Sequence, residues 1–233
     1  MKFKKIFLGF IGFLIFYSIT NAPGIAEELD AQKLLQQVDE NLWADTKFIS
    51  GRLIIDNGRK VRTLKQDSWM EGVTRSYSHY KSPPREKGTK MLKVGGKLWM
   101  YTPRTDRKIL IAGHLLRQSM MGSDLSYEDI DGIRAALLHL VAHDKKTTYQ
   151  TRKAWINPEN KTVLKEERFA KSGKKLKRIL FKDYEKIENR MFPRTMIFKD
   201  LLKENTQTTY KFDVIEFNVE IPARYFSQSI LKR

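Results

Sequence analysis

The sequence predicts a mainly β domain with a few helices (α+β), built on an antiparallel sheet that curls on itself. Three observations carry this prediction. Short runs of alternating apolar and polar residues recur along most of the chain, the period-two signature of half-buried strands. Turn-forming residues separate them at close intervals, as at Asp56-Asn57-Gly58, Gly95-Gly96 and Ser172-Gly173. The chain also has no cysteine, so its core comes from burial alone. The roughly 200 residues that follow the leader are enough to supply one.

The leader is residues 1–26. Lys2, Lys4 and Lys5 make a basic start, and Ile6 to Ile19 is apolar apart from Gly9 and Gly12. Gly24-Ile25-Ala26 places small residues before Glu27, as a signal-peptide cleavage site requires, with Ala22 as a second such site. An apolar run of about fourteen falls short of the roughly twenty residues that span a bilayer. Residues 1–26 therefore read as a secretory signal peptide, and 27–233 as a single domain exported to a periplasm. Without cysteine there is no site for lipid attachment, no disulfide and no thiol nucleophile.

The net charge of +17 becomes +14 without the three leader lysines (17 − 3 = 14). Such a charge suggests nucleic acid, but the export signal argues against it. Lys and Arg are scattered along nearly every strand, as in Lys174-Lys175-Leu176-Lys177-Arg178. That is the pattern of a solvated outer face, or of a surface drawn to anionic membranes.

In chain order, Asp30 is the N-cap of a helix reaching Leu42, with Leu34, Leu35, Val38 and Leu42 on one face. Phe48 to Ile55 is a strand ending at Asp56-Asn57-Gly58. Arg59 to Met70 returns, and Val73 to Tyr80 follows. Ser82-Pro83-Pro84 makes a rigid break. Met91 to Val94, Lys97 to Tyr101 and Asp106 to Ile111 are three further short strands, punctuated by Gly95-Gly96 and Pro103. In the middle one, Trp99 and Tyr101 share one face and Leu98 and Met100 the other, so both faces are covered or one lines a cavity. Between Gly113 and Gly122 the pattern changes to a short Met-rich segment with the look of a lid.

This central stretch, LWMYTPRTDRKI followed by GHLLRQSMMGSDLSYED, resembles the LolA-like outer-membrane lipoprotein-sorting proteins. The likeness extends more weakly from Asp39-Glu40-Asn41-Leu42-Trp43-Ala44-Asp45 to Ile221-Pro222 and Phe226. It implies an open, strongly curved antiparallel sheet, an incomplete or half barrel, with helices covering its concave side. It also implies a strand within 133–143 paired with Thr147 to Ile156, although IRAALLHLVAH has the composition of a buried helix. Relatives carry an additional strand between the positions of Asp129 and Ile130, which this chain lacks. The last third alternates more plainly: Val163 to Ala170, Leu176 to Tyr184, Phe192 to Lys199, and Thr206 to Phe217. In the last of these, Tyr210, Phe212 and Val214 share one face.

Candidate chemistry is thin. His139 and His143 have the spacing of a helical metal pair beside Asp144, but no third ligand stands nearby. His114, Ser119 and Asp124 supply triad residue types without the Gly-x-Ser-x-Gly elbow that would expose the serine. What remains is apolar capacity. Trp69, Met91, Trp99, Tyr101, Leu115, Leu116, Met120 and Met121 are the candidate lipid-binding residues. Arg107 and Arg117 are candidates for a lipid headgroup contact or a latch on the lid.

Taking an acyl chain of about fifteen methylenes into water costs on the order of 12 kcal/mol, at about 0.8 per CH₂. Such a chain needs an escort between membranes. The resemblance thus implies a non-enzymatic periplasmic carrier of lipoprotein or phospholipid acyl chains, loaded by an inner-membrane exporter-type transporter, without metal or cofactor. A lipid sensor that signals to a membrane partner is the alternative on the same fold, and a periplasmic hydrolase is the third class.

Overall fold

The computed structural model describes residues 30–112, 115, 117–125, 140–141 and 147–232. The leader, His114, Leu116, His139 and His143 lie outside the described residues.

The expected N-terminal helix is α1, Ala31–Leu42, the only α-helix among the described residues. Asp30 caps it by accepting from the Lys33 backbone N–H at 3.2 Å. Its apolar stripe buries Val38 and Leu42 against the sheet. At the other end, basic side chains meet the carbonyls that no further turn can satisfy. Lys47 Nζ donates to Leu42 O at 3.2 Å, and Arg190 donates to the carbonyls of Glu40 and Trp43.

The strands are β1 (Thr46–Asp56), β2 (Val61–Glu71), β3 (Arg75–Ser82), β4 (Lys90–Val94), β5 (Lys97–Thr102), β6 (Arg107–Ile111), β7 (Leu140–Val141), β8 (Thr151–Asn157), β9 (Thr162–Phe169), β10 (Lys175–Ile187), β11 (Arg190–Asp200) and β12 (Gln207–Phe217). All belong to one antiparallel sheet ordered β6-β5-β4-β3-β2-β1-β12-β11-β10-β9-β8-β7. Two meanders are joined where the first strand pairs with the last. The short strands β6 and β7 are the outer edges of opposite halves. Closing a barrel would require such edges to meet, and these do not. The sheet is open and not strongly curled, which corrects the strongly curved half barrel that the resemblance implied. Among the described residues, the helical elements are α1 and short 3₁₀ turns.

Within 133–143, Leu140–Val141 is a strand paired with Thr151 and Arg152 of β8; residues 133–139, 142 and 143 lie outside the described residues.

The two faces follow the pleat. β1 and β2 turn Ile49, Leu53, Leu64 and Met70 toward one core. Leu98 and Met100 of β5 share it, while Trp99 and Tyr101 belong to a second cluster on the other face with Trp69, Tyr77 and Leu92. The C-terminal residues cover that second face. Tyr225 lies 4.7 Å from the Trp69 ring and 5.2 Å from Tyr77, and Leu231 is fully buried.

One strand departs from simple alternation. Ser50 pairs with Val214 but Gly51 pairs with Phe212, so Asp213 is an extra residue, a β-bulge in β12. Beyond it the inward register shifts by one. Phe212, Ile215 and Phe217 are buried and Val214 is exposed. The expectation that Val214 shares a face with Tyr210 and Phe212 is therefore corrected by the bulge. The outward Asp213 carboxylate receives the Arg52 guanidinium at 2.6 Å.

Candidate binding cavity

The inner face of the sheet holds a cavity of about 140 Å³. Its origin is local. Where a packed core would place branched aliphatic residues, the inner faces of β2 and β3 carry Ser68, Ser76 and Ser78. Small side chains leave a hollow that larger residues around it cannot fill. Phe181, Phe192, Met196, Phe198 and Phe212 form one wall, and Met91 and Tyr80 stand opposite. Trp43 and Lys47 line the end nearest α1, and Met120 and Leu125 line it too.

The segment 117–125 reaches this cavity through a 3₁₀ turn at Met120–Gly122. Met120 is buried, with its sulfur 3.9 Å from the Tyr80 hydroxyl, and the same hydroxyl lies 3.7 Å from Met91 Sδ. Polar contacts from three strands or their ends tie the segment down. Arg62 of β2 donates to Met121 O at 2.5 Å. Lys203, just past β11, donates to Ser119 Oγ at 2.7 Å. Buried Asp124 accepts from Thr206 at 2.5 Å and from Thr208 at 2.9 Å. Ser119 and Asp124, two of the three triad residue types, thus have separate partners.

The cations Lys47, Arg75 and Lys93 and the polar Gln66, Ser68, Ser76, Ser78 and Tyr210 also line the cavity; Arg75 pairs with Glu71, and Lys93 donates to Val73 O at 2.7 Å. Lys47 is buried, its ammonium 4.4 Å from the Trp43 ring centroid. Burial, helped by the positive Arg190, pulls its pKa down to about 8. Burial pushes the Tyr210 phenol up to about 12, against the hydrogen bonds that Gln66 and Ser68 make to it, so its hydroxyl stays neutral at neutral pH. Ser68 and Ser78 are joined through their hydroxyls at 2.8 Å. Gln66 Nε2 donates to Tyr210 Oη at 2.6 Å, and Gln66 Oε1 and Trp43 Nε1 are buried without a partner among the described residues.

Of the residues singled out from sequence, Met91 and Met120 line the cavity, and Leu115 and Met121 pack against its surrounding core. Trp69, Trp99 and Tyr101 sit on the opposite face under the C-terminal residues. Arg107 is exposed on edge strand β6, and Arg117 is exposed beside the 3₁₀ turn. Sequence reading missed Arg62 and Lys203, which hold the segment, and the small floor residues, whose absence of bulk gives no periodic signal. The smallness of Ser68, Ser76 and Ser78 on alternate positions of paired strands was the available clue.

Fold and cavity together define the class: an open antiparallel sheet with helix α1 packed on it and an apolar hollow reached by the 117–125 segment. A family model described as "uncharacterized protein" matches residues 72–136 and 130–233, and the chain belongs to that family. No match was found among curated proteins. Solved structures share the LolA-like fold. A putative outer membrane lipoprotein-sorting protein domain from Vibrio parahaemolyticus is 18% identical, covering 87% of this chain and 98% of its own, with a TM-score of 0.76. A LolA superfamily protein from Nitrosomonas europaea is 21% identical over 86% and 98%, with a TM-score of 0.72. A DUF1329 family protein from Desulfovibrio piger is 19% identical over 86% and 97%, with a TM-score of 0.76.

Proposed function

We propose that the chain is a non-enzymatic carrier that shields the acyl chains of a lipoprotein or lipid on their way to an outer membrane. The observation that supports this best is the hollow itself, lined by Ser68, Ser76 and Ser78, by Phe and Met side chains, and by Met120 of the 117–125 segment. A cavity of about 150 Å³ takes a guest the size of benzene. One of about 140 Å³ is too small for an acyl chain, so cargo enters by displacing Met120 and Leu125. Met side chains suit such exchangeable contacts, and the latching hydrogen bonds are polar and separable.

In this reading residues 1–26 direct export and are removed before Glu27, and 27–233 work in the periplasm as one domain. An inner-membrane exporter-type transporter loads the cargo. The outer face supports approach to an anionic membrane. Lys211, Arg52 and Lys65 stand directly opposite one another on β12, β1 and β2. Arg52 is paired with Asp213, and the lysines on either side of it give an anionic surface something to meet. Arg107 and Arg117 are both exposed, and in this reading they meet a headgroup or latch the lid.

The test is native mass spectrometry of protein purified from a periplasm, with fluorescent-lipid binding to Met120→Glu and Ser78→Leu. Co-purifying lipid is expected, and both variants should bind several-fold more weakly, the first by burying a charge and the second by filling the hollow. Unchanged lipid binding in both variants would rule the cavity out as the cargo site.

A further inference from the structure

Among the polar groups that line the cavity, Gln66 carries an atom with no partner among the described residues. Gln66 points to the inner face of β2, is 7% exposed, and lines the cavity. Its amide is held in place by the neighbouring strands. Nε2 donates to Tyr210 Oη at 2.6 Å. Tyr210 reaches it because Gly51 lies between, where an added Cβ would come within 2.8 Å of Tyr210 Cε2. The hydroxyls of Ser68 and Ser78, next along the floor, bond to each other. That leaves Gln66 Oε1, a buried acceptor without a partner among the described residues. A buried acceptor beside an apolar cavity has lost its hydration, and a ligand that enters by displacing neighbouring side chains can restore a donor to it.

Resting on the carrier reading, we propose that Gln66 Oε1 accepts a hydrogen bond from an N–H or O–H on the cargo, so that the site selects acyl chains carrying an amide or hydroxyl donor. Tyr210 is the positioning residue that orients the amide. An amide-linked chain offers an N–H at the end of its methylenes. A plain ester offers acceptors only, and seats them against the Gln66 oxygen with nothing to share. Discrimination of this kind is strong because the mismatched ligand leaves a buried polar atom unpaired.

The experiment uses the full mature chain and three probes of equal length: N-methylhexadecanamide, methyl hexadecanoate and the α-hydroxy methyl ester. Each competes with a fluorescent fatty-acid reporter against wild type, Gln66→Met and Tyr210→Phe. Thermal unfolding checks that the variants fold. Wild type is expected to bind the amide about tenfold tighter than the ester, the worth of one buried hydrogen bond. Gln66→Met, near in size and apolar, should erase that preference while still binding the ester, and Tyr210→Phe should reduce it. A gain for the amide alone assigns the cargo as N-acylated, and an equal gain for the hydroxy ester assigns any donor-bearing chain. Equal binding of all three probes by wild type, or a preference that survives in Gln66→Met, overturns the proposal and leaves the carrier reading standing. Failure of wild type to bind the reporter or any probe overturns both.

Discussion

Arg62 on β2 donates from Nη2 to the Met121 carbonyl oxygen at 2.5 Å, and its Nη1 lies 3.3 Å from Glu86 Oε1. One guanidinium thus joins the sheet, the loop after β3 and the segment over the cavity. Arg62→Leu should free that segment without emptying the core. The expected result is a dissociation rate for fluorescent lipid raised about tenfold in stopped flow, the kinetic worth of one charge-assisted bond. Global stability in urea should fall by about 1.5–3 kcal/mol, the worth of a hydrogen bond from a charged group. An unchanged dissociation rate would show that the bond does not govern access.

Asp124 makes the complementary anchor. It is 2% exposed, and its carboxylate accepts from Thr206 and Thr208 while its own N–H donates to Thr208 Oγ1 at 2.8 Å. Asp124→Ala leaves the buried Thr208 hydroxyl and the partly buried Thr206 hydroxyl without their acceptor and should cost about 2–4 kcal/mol. Asp124→Asn keeps one acceptor and should cost about half as much. Urea midpoints for the pair check both the loss and its order.

Much of the fold was legible because period-two alternation and turn chemistry are local. Asp56-Asn57-Gly58 and Gly95-Gly96 mark turns between strands that the structure pairs, β1 with β2 and β4 with β5. The faces of β5 followed from the pleat, with Leu98 and Met100 on one side and Trp99 and Tyr101 on the other. Which face holds the cavity did not follow, because both are apolar and only the covering elements tell them apart. The aromatic face is filled by Tyr225 and Leu231 from far along the chain. The bulge at Asp213 was likewise invisible, since one extra residue changes register without changing composition. Arg62 was hidden among many scattered cations, and its contact with Met121 joins residues far apart in sequence.

Gly51 is required twice over. An added Cβ would lie 2.6 Å from the Lys211 carbonyl oxygen as well as 2.8 Å from the Tyr210 ring. The first of these is backbone, held in the β1–β12 pairing beside the bulge, and cannot swing aside. Gly51→Ala should therefore destabilise the protein by about 1–3 kcal/mol, the range for overpacking, and should also disturb the Tyr210–Gln66 bond. Thermal unfolding checks the first effect. A stability equal to wild type would mean that the strands separate freely here.

Lys47 gives the protein a distinctive dependence on pH. Its pKa falls from 10.5 to about 8 because the ammonium is buried beside Trp43 and Phe192 and near Arg190. Below about 8 both folded and unfolded chains hold the proton, and the cost of burying the charge is fully present. Between about 8 and 10.5 the unfolded chain still holds a proton that the folded chain has released. Unfolding then takes up a proton, so stability rises with pH through this window. The gain across it is up to roughly 3 kcal/mol, at about 1.4 kcal/mol for each pH unit crossed. Tyr77 and Tyr210, both pushed up to about 12 by burial, act in the opposite sense, but only once the unfolded phenols ionise near 10. The clean comparison is wild type against Lys47→Met in urea at several values between pH 8 and 10. Wild-type stability should climb relative to the variant over that interval. A constant difference would mean that Lys47 keeps its proton in the fold, and that contact with the Leu42 carbonyl at the end of α1 outweighs its burial.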